Sequence, residues 1–225
     1  MADPCRCVVL VSGSGTNLQA LLDGAAEGSL GAEVVGVVSN RPDAYALERA
    51  RAAGVATQVV DHTAFPDRES YDTVLAEAVA AFQPDLVVLA GYMRIMTPGF
   101  VARFHGHMIN VHPSLLPAFP GLHTHRKAME AGCRIHGTTV HFVTEDLDAG
   151  PIIAQAATGI TPEDTPETLA RRVQSLEHRV LPQAVRWFAE DRLTVRDGRV
   201  QLTGDTGVPG ELVVPLPDAP HPETA

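Results

Sequence analysis

Apolar runs rich in valine recur along the first half of the chain: residues 5–11 (CRCVVLV), 32–39 (AEVVGVVS), 56–60 (ATQVV) and 85–90 (DLVVLA). Short β-branched runs of this kind read as strands buried on both faces. Between them, Ala and Leu return at helical spacing near 16–27, 44–53 and 69–82. Strand alternating with helix predicts a parallel sheet with helices covering both sides. Thr97-Pro98 is a helix-start pair ahead of a short helix over Phe100 to Phe104, and a fifth strand over 107–111 carries Asn110 at its C-terminal end.

The pattern changes after residue 135. Runs 136–144 and 151–158 are strand-like and joined by the Glu145–Gly150 turn, which predicts a hairpin rather than a crossover. Thr165-Pro166-Glu167 opens a long amphipathic helix that reaches Trp187 or Ala189, and 193–202 (LTVRDGRVQL) reads as a hairpin turning at Asp197-Gly198. The expected fold class is therefore α/β. It is a Rossmann-like, mostly parallel sheet with helices on both faces, extended by an antiparallel hairpin and a long C-terminal helix. Residues 1–202 read as a single domain, and 203–225 as an irregular tail rich in Pro and Gly.

Composition narrows the function classes. The 225 residues suffice for a full hydrophobic core. The net charge is −10, Lys127 is the only lysine, and Lys and Arg form no cluster, which argues against nucleic acid as the main partner. No apolar run is long enough to span a bilayer, and no basic start, apolar stretch and small-residue cleavage site precede the strand at Val8 to Val11, so a cytoplasmic, membrane-free protein is expected. Three cysteines, an odd count, argue against a disulfide framework; Cys5 and Cys7 are expected on opposite faces of the first strand, where they could not share a metal. The histidine pairs His105/His107, His123/His125 and His136/His141 lack a Cys or carboxylate partner at zinc-site spacing. No metal is expected, and most of the ten histidines read as loop or surface residues.

Three segments carry candidate chemistry. Ser12-Gly13-Ser14-Gly15-Thr16-Asn17-Leu18 joins the first strand to the first helix, where free N–H groups favour an anion. Leu18 stands where a dinucleotide fingerprint has its third Gly, and no Gly-Lys-Ser/Thr follows, so a monophosphate fits better than NAD or ATP. The plainer alternative is a strand-to-helix turn capped by Thr16. Ala90 to Met96 (AGYMRIM) lies at the C-terminal edge of a buried strand, where open α/β sheets bind ligands, and Met93, Ile95 and Met96 suit a flat heterocycle. Packing against the next helix would explain these residues equally well.

The strongest segment runs from Met108 to Pro151. Asn110 can donate an amide N–H to a developing oxyanion, His112 can share that task or move a proton, and Asp148 can orient the imidazole and favour its charged form. Together they suit acyl transfer to a nucleophile. Ser114 lacks the G-x-S-x-G elbow of a serine hydrolase.

These residues sit in a series of motifs that resembles the phosphoribosylglycinamide formyltransferases, purine-pathway enzymes that use 10-formyltetrahydrofolate. The ordered agreement runs from Val8 to Arg192 through SGSGTNLQAL, SNRPDA, LERA, AGYMRIM, NVHPSLLP, PGLHTHR, HGTTVHFV and LDAGP. The resemblance implies that Asn110, His112 and Asp148 are catalytic. It implies that Gly15, Thr16 and Asn17 hold the ribotide phosphate, with Gln174 and Glu177 near that substrate. It also assigns Arg68, Met93, Arg94, Ile95, Met96, Asn110, Val143 and Asp148 to the folate. Residues 1–110 would then be a phosphate-binding half and 111–202 a catalytic and folate-binding half, in a monomer or homodimer requiring no metal. Methionyl-tRNA formyltransferases and formyltetrahydrofolate hydrolases share NxHPSLLP and LDxGP. The first resemble the chain less, having a further C-terminal domain and a basic surface. The second have an N-terminal regulatory domain, for which the early first strand leaves no expected room.

Overall fold

The computed structural model describes residues 4–204, so the expected tail lies outside the described residues beyond Thr203 and Gly204. Seven strands form one sheet in the order β3-β2-β1-β4-β5-β6-β7. β1 (Cys5–Val11), β2 (Ala32–Ser39), β3 (Thr57–Val59), β4 (Leu86–Leu89) and β5 (Met108–His112) are mutually parallel. β6 (Ile135–Phe142) runs antiparallel to β5, and β7 (Ile152–Gly159) antiparallel to β6, as the hairpin expectation required. β8 (Leu193–Arg196) and β9 (Arg199–Leu202) make a separate hairpin.

The valine runs become strands because both faces of the sheet are covered. Cys7, Val9 and Val11 enter one core layer with α1 (Thr16–Ala26) and α6 (Pro166–Ala189), while Val8 and Leu10 enter the other with α3 (Arg68–Ala80) and α4 (Pro98–Arg103). A strand buried on both sides has no polar face to show, hence the missing alternation. Cys5 packs against the same layer as Cys7. The expectation of opposite faces is therefore wrong, since residues two apart on a strand share a face.

Local chemistry sets the helix boundaries. Thr97 and Thr165 each cap a helix that has Pro in its first turn, and Thr165 exchanges hydrogen bonds with Thr168. α6 then runs 24 residues, crossing α1, β6 and β7. α2 (Ala46–Ala52) falls within the helical stretch expected near 44–53, and one helix lies outside the expectations: α5 (Thr124–Glu130), which follows the proline-rich loop. α5 begins at His123, which has φ of 60° and makes no side-chain cap.

The chain proceeds outward from β1 to β3 and then returns to place β4 on the other side of β1. The C-terminal ends of β1 and β4 thus flank a topological switch point, where such sheets open a ligand crevice.

Candidate active site

A cleft of about 660 Å³ opens at that edge. Asn17, Glu177, the Gly91–Met96 loop, Asn110, His112, Val143 and Asp148 line it, together with the loop around Leu122.

Asn110 and His112 leave β5 at its C-terminal end. Asp148 reaches them from the acidic turn after β6, with its backbone at φ of 52°, a left-handed conformation that costs an L-residue about 1–2 kcal/mol. Its Oδ2 accepts the Gly121 N–H at 2.8 Å and lies 3.5 Å from His112 Nδ1. Both side chains are at most 8% exposed. On the other side of the ring, His112 Nε2 is 3.1 Å from the Phe119 carbonyl oxygen. Both nitrogens of His112 thus face oxygen acceptors, and an imidazolium fills both positions with N–H groups. Asn110 Nδ2 lies 3.2 Å from His141 Nε2, and His141 Nε2 is itself 4.0 Å from Asp148 Oδ1.

The proline-rich loop is held by side chains rather than by a ladder. Ser114 Oγ donates to the Ala118 carbonyl, Leu116 N–H donates to Thr139 Oγ1, and Gln155 Nε2 donates to the Leu116 carbonyl. The Leu116–Pro117 peptide is cis.

Behind Asn17 and Glu177, which line the cleft while Gly15, Thr16 and Gln174 do not, Gly15 caps α1 with φ of 72°, and a Cβ there would come within 2.5 Å of Ala46 Cβ. The helix is therefore capped by Gly15 rather than by Thr16. Thr16 Oγ1 instead accepts from Gln174 Nε2 at 2.9 Å. Asn17 Nδ2 donates to Glu177 Oε2 at 2.7 Å. Gln174 and Glu177 are three apart on α6 and so share the face turned to α1. Burial pushes the Glu177 carboxyl above its ordinary range, partly offset by the Asn17 hydrogen bond.

Ser12 steadies the apolar wall: its hydroxyl donates to Asn40 Oδ1 and accepts the Met93 N–H at 2.8 Å. Met93, Ile95, Leu122 and Leu147 are each half exposed or more, an apolar surface suited to a flat ring. Arg94 places its guanidinium 4.6 Å from the centre of the Tyr71 ring. Arg68 stands apart: it is the first residue of α3, exposed, and does not line the cleft.

Most of the described histidines are exposed or half-buried, as expected. His112 is buried at the reaction centre, its expected place, and His136 and His141 are buried as well. His125 and His136 meet at 3.1 Å, and burial, with the neighbouring His125, pushes His136 down to about 4. Among the described residues, no group of three or more His, Cys, Asp or Glu could hold a metal. Sequence reasoning missed His141 as a neighbour of Asn110, because only the β5–β6 register reveals the pair.

A Rossmann-like sheet whose crevice gathers an amide, an imidazole and a carboxylate beside a glycine turn suits acyl transfer between two bound molecules. The chain belongs to the formyl transferase family, whose model matches residues 5–185. It is 47% identical over 197 residues to the phosphoribosylglycinamide formyltransferase of Escherichia coli, covering 88% of this chain and 93% of that one. The crystal structure of glycinamide ribonucleotide transformylase 1 from Symbiobacterium toebii superposes with a TM-score of 0.87 at 51% identity, covering 88% of this chain and 94% of that one. A formyltetrahydrofolate deformylase from Pseudomonas syringae is more distant, at 30% identity and a TM-score of 0.83, covering 89% of this chain and 66% of that one. Among the described residues, no helix is long and apolar enough to cross a membrane.

Proposed function

We propose that this formyltransferase moves the formyl group from N10 of 10-formyltetrahydrofolate to the primary amine of glycinamide ribonucleotide. The products are formylglycinamide ribonucleotide and tetrahydrofolate, a step of de novo purine biosynthesis in the cytoplasm. The observation that carries the reading is one cleft joining the Asn110/His112/Asp148 group to the Asn17–Glu177 pair beside the glycine turn. That joins a reaction centre to a polar subsite fit for an amine-bearing monophosphate. The E. coli and S. toebii relatives carry names of the same activity.

In this reading the neutral amine attacks the formyl carbon, whose carbonyl oxygen takes the negative charge. Asn110 donates an N–H to that oxygen. His112 donates Nε2–H, now given to the Phe119 carbonyl, to a formyl oxygen in the same place. Each such donor is worth about 3–4 kcal/mol of barrier. Asp148, tied to the Gly121 N–H, orients His112 and neutralises the imidazolium. The tetrahedral carbon then releases N10, which takes the proton lost by the attacking amine through water near Asp148. Holding both substrates in one cleft contributes much of the remaining acceleration.

The ribotide phosphate lies at Gly15, Thr16 and Asn17 in this reading, with Gln174 and Glu177 toward the glycinamide. The folate lies along Met93, Arg94, Ile95, Met96 and Val143, and Arg68 meets only a part of it that leaves the cleft. The first 110 residues thus supply the phosphate turn, and 111–202 the reacting groups. The chemistry calls for no metal.

Tetrahydrofolate formation followed by absorbance, with and without glycinamide ribonucleotide, tests this. Product that forms only with the ribotide supports transfer. Product at the same rate without it would make water the acceptor and the protein a hydrolase.

A further inference from the structure

Asn110 and His141 face each other across the β5–β6 ladder, and the atom of Asn110 turned to His141 Nε2 is the amide nitrogen. The two ends of that amide offer opposite things: Oδ1 only accepts and Nδ2 only donates. Which end meets the neighbouring ring therefore decides which end faces the cleft.

His141 settles the choice. Its Nδ1 lies 2.8 Å from the Phe142 carbonyl oxygen, which can only accept, so Nδ1 carries the proton. The ring is 2% exposed, and burial pushes its pKa below the ordinary 6.5, leaving it neutral with a single N–H. Nε2 is then a lone pair, and among the two ends of Asn110 only the nitrogen can satisfy it.

We propose that His141 is a positioning residue for formyl transfer: by accepting one N–H of Asn110 it turns the second N–H toward the formyl oxygen. The inference rests on the reading that Asn110 stabilises that oxygen. With the amide turned over, Oδ1 would meet the developing oxyanion and attraction would become repulsion. The working form of His141 is the neutral ring. A proton on Nε2 would face Asp148 Oδ1, 4.0 Å away, and could no longer accept from Asn110. His112, on β5 and paired with the same carboxylate, is the other charged neighbour and opposes that second proton.

Three variants test the role. His141→Phe keeps a ring but offers no acceptor, whereas His141→Gln restores a side-chain oxygen that can take the Asn110 N–H. His141→Phe should lower kcat about 100-fold, the scale of one lost oxyanion donor, with both KM values within about threefold of the parent. His141→Gln should recover at least about tenfold of that loss. Combined with Asn110→Ala, His141→Phe should add nothing further, because its effect passes through the amide. Parental kcat in folded His141→Phe, a loss confined to KM, a Gln variant no better than Phe, or multiplied losses in the double variant would each overturn the proposal. If Asn110→Ala itself turns over normally, the oxyanion role of Asn110 fails and the proposal with it, a result distinct from all of these. Circular dichroism and thermal unfolding establish that each variant folds. Should His141→Phe not fold, the Gln variant decides: kcat within about tenfold of the parent supports the proposal, and a loss equal to that of Asn110→Ala overturns it.

Discussion

Asn17 and Glu177 are 160 positions apart and share a 2.7 Å hydrogen bond on the wall of the cleft. Both are buried, and Asn17 Oδ1 has no protein partner. Burial raises the Glu177 carboxyl above its ordinary 4.5. A group raised in the fold contributes its stabilisation fully below the unfolded value and loses it as pH climbs through the folded one. Glu177→Gln removes that titration and keeps an acceptor for Asn17. The thermal midpoint of the variant should therefore gain on the parent as pH rises from 4.5 toward neutrality. A constant offset across that range would contradict the burial argument.

Asp148→Asn keeps the shape of the side chain but removes the charge beside His112. We expect kcat to fall about 100-fold or more, with the ribotide KM within about threefold, because the carboxylate meets the imidazole and a backbone N–H rather than the phosphate subsite. Steady-state kinetics with near-parental turnover would remove Asp148 from the mechanism.

Gly15→Ala asks an L-residue to hold φ of 72° with its Cβ 2.5 Å from Ala46 Cβ. The left-handed backbone costs about 1–2 kcal/mol and the overpacking about 1–3 kcal/mol. Denaturant unfolding should report a loss in that range, accompanied by a raised ribotide KM. An unchanged midpoint would mean that the turn relaxes without strain.

Ser12→Ala leaves the Met93 N–H without its acceptor and Asn40 Oδ1 without its donor. A net loss of about 1 kcal/mol in the folate wall corresponds to a rise of about fivefold in folate KM, with ribotide KM unchanged. Equal rises in both constants would show that Ser12 supports the fold rather than that wall.

The elements most readable from the residues are those whose signal is local. Thr165-Pro166 marks the start of α6, Asp197-Gly198 marks the β8–β9 turn, and the valine runs mark strands packed on both sides. α5 was not readable: THRKAME is short and polar, and its start rests on His123 in a left-handed conformation instead of on a capping side chain. The site divides along the same line. Asn110, His112 and Asp148 stand within motifs that announce their chemistry, and the structure gathers them. His141 gains its meaning only from lying opposite Asn110, a long-range register that no motif encodes. Arg68 shows the reverse case, a residue implied by resemblance that the fold leaves on an exposed helix start. The burial of His136 and His141 was hidden for a related reason, because strand pairing decides it.

β5 is the seam of the sheet, parallel to β4 on one side and antiparallel to β6 on the other, so Asn110 has Leu89 and His141 as its ladder neighbours. A single-residue insertion ahead of His141 would slide β6 and exchange every inward side chain for an outward one. The molecule could then keep its outline and lose its reactivity. Length variation among descendants of this chain should accordingly gather in outlying turns such as that between β8 and β9, while the spacing along β6 stays frozen.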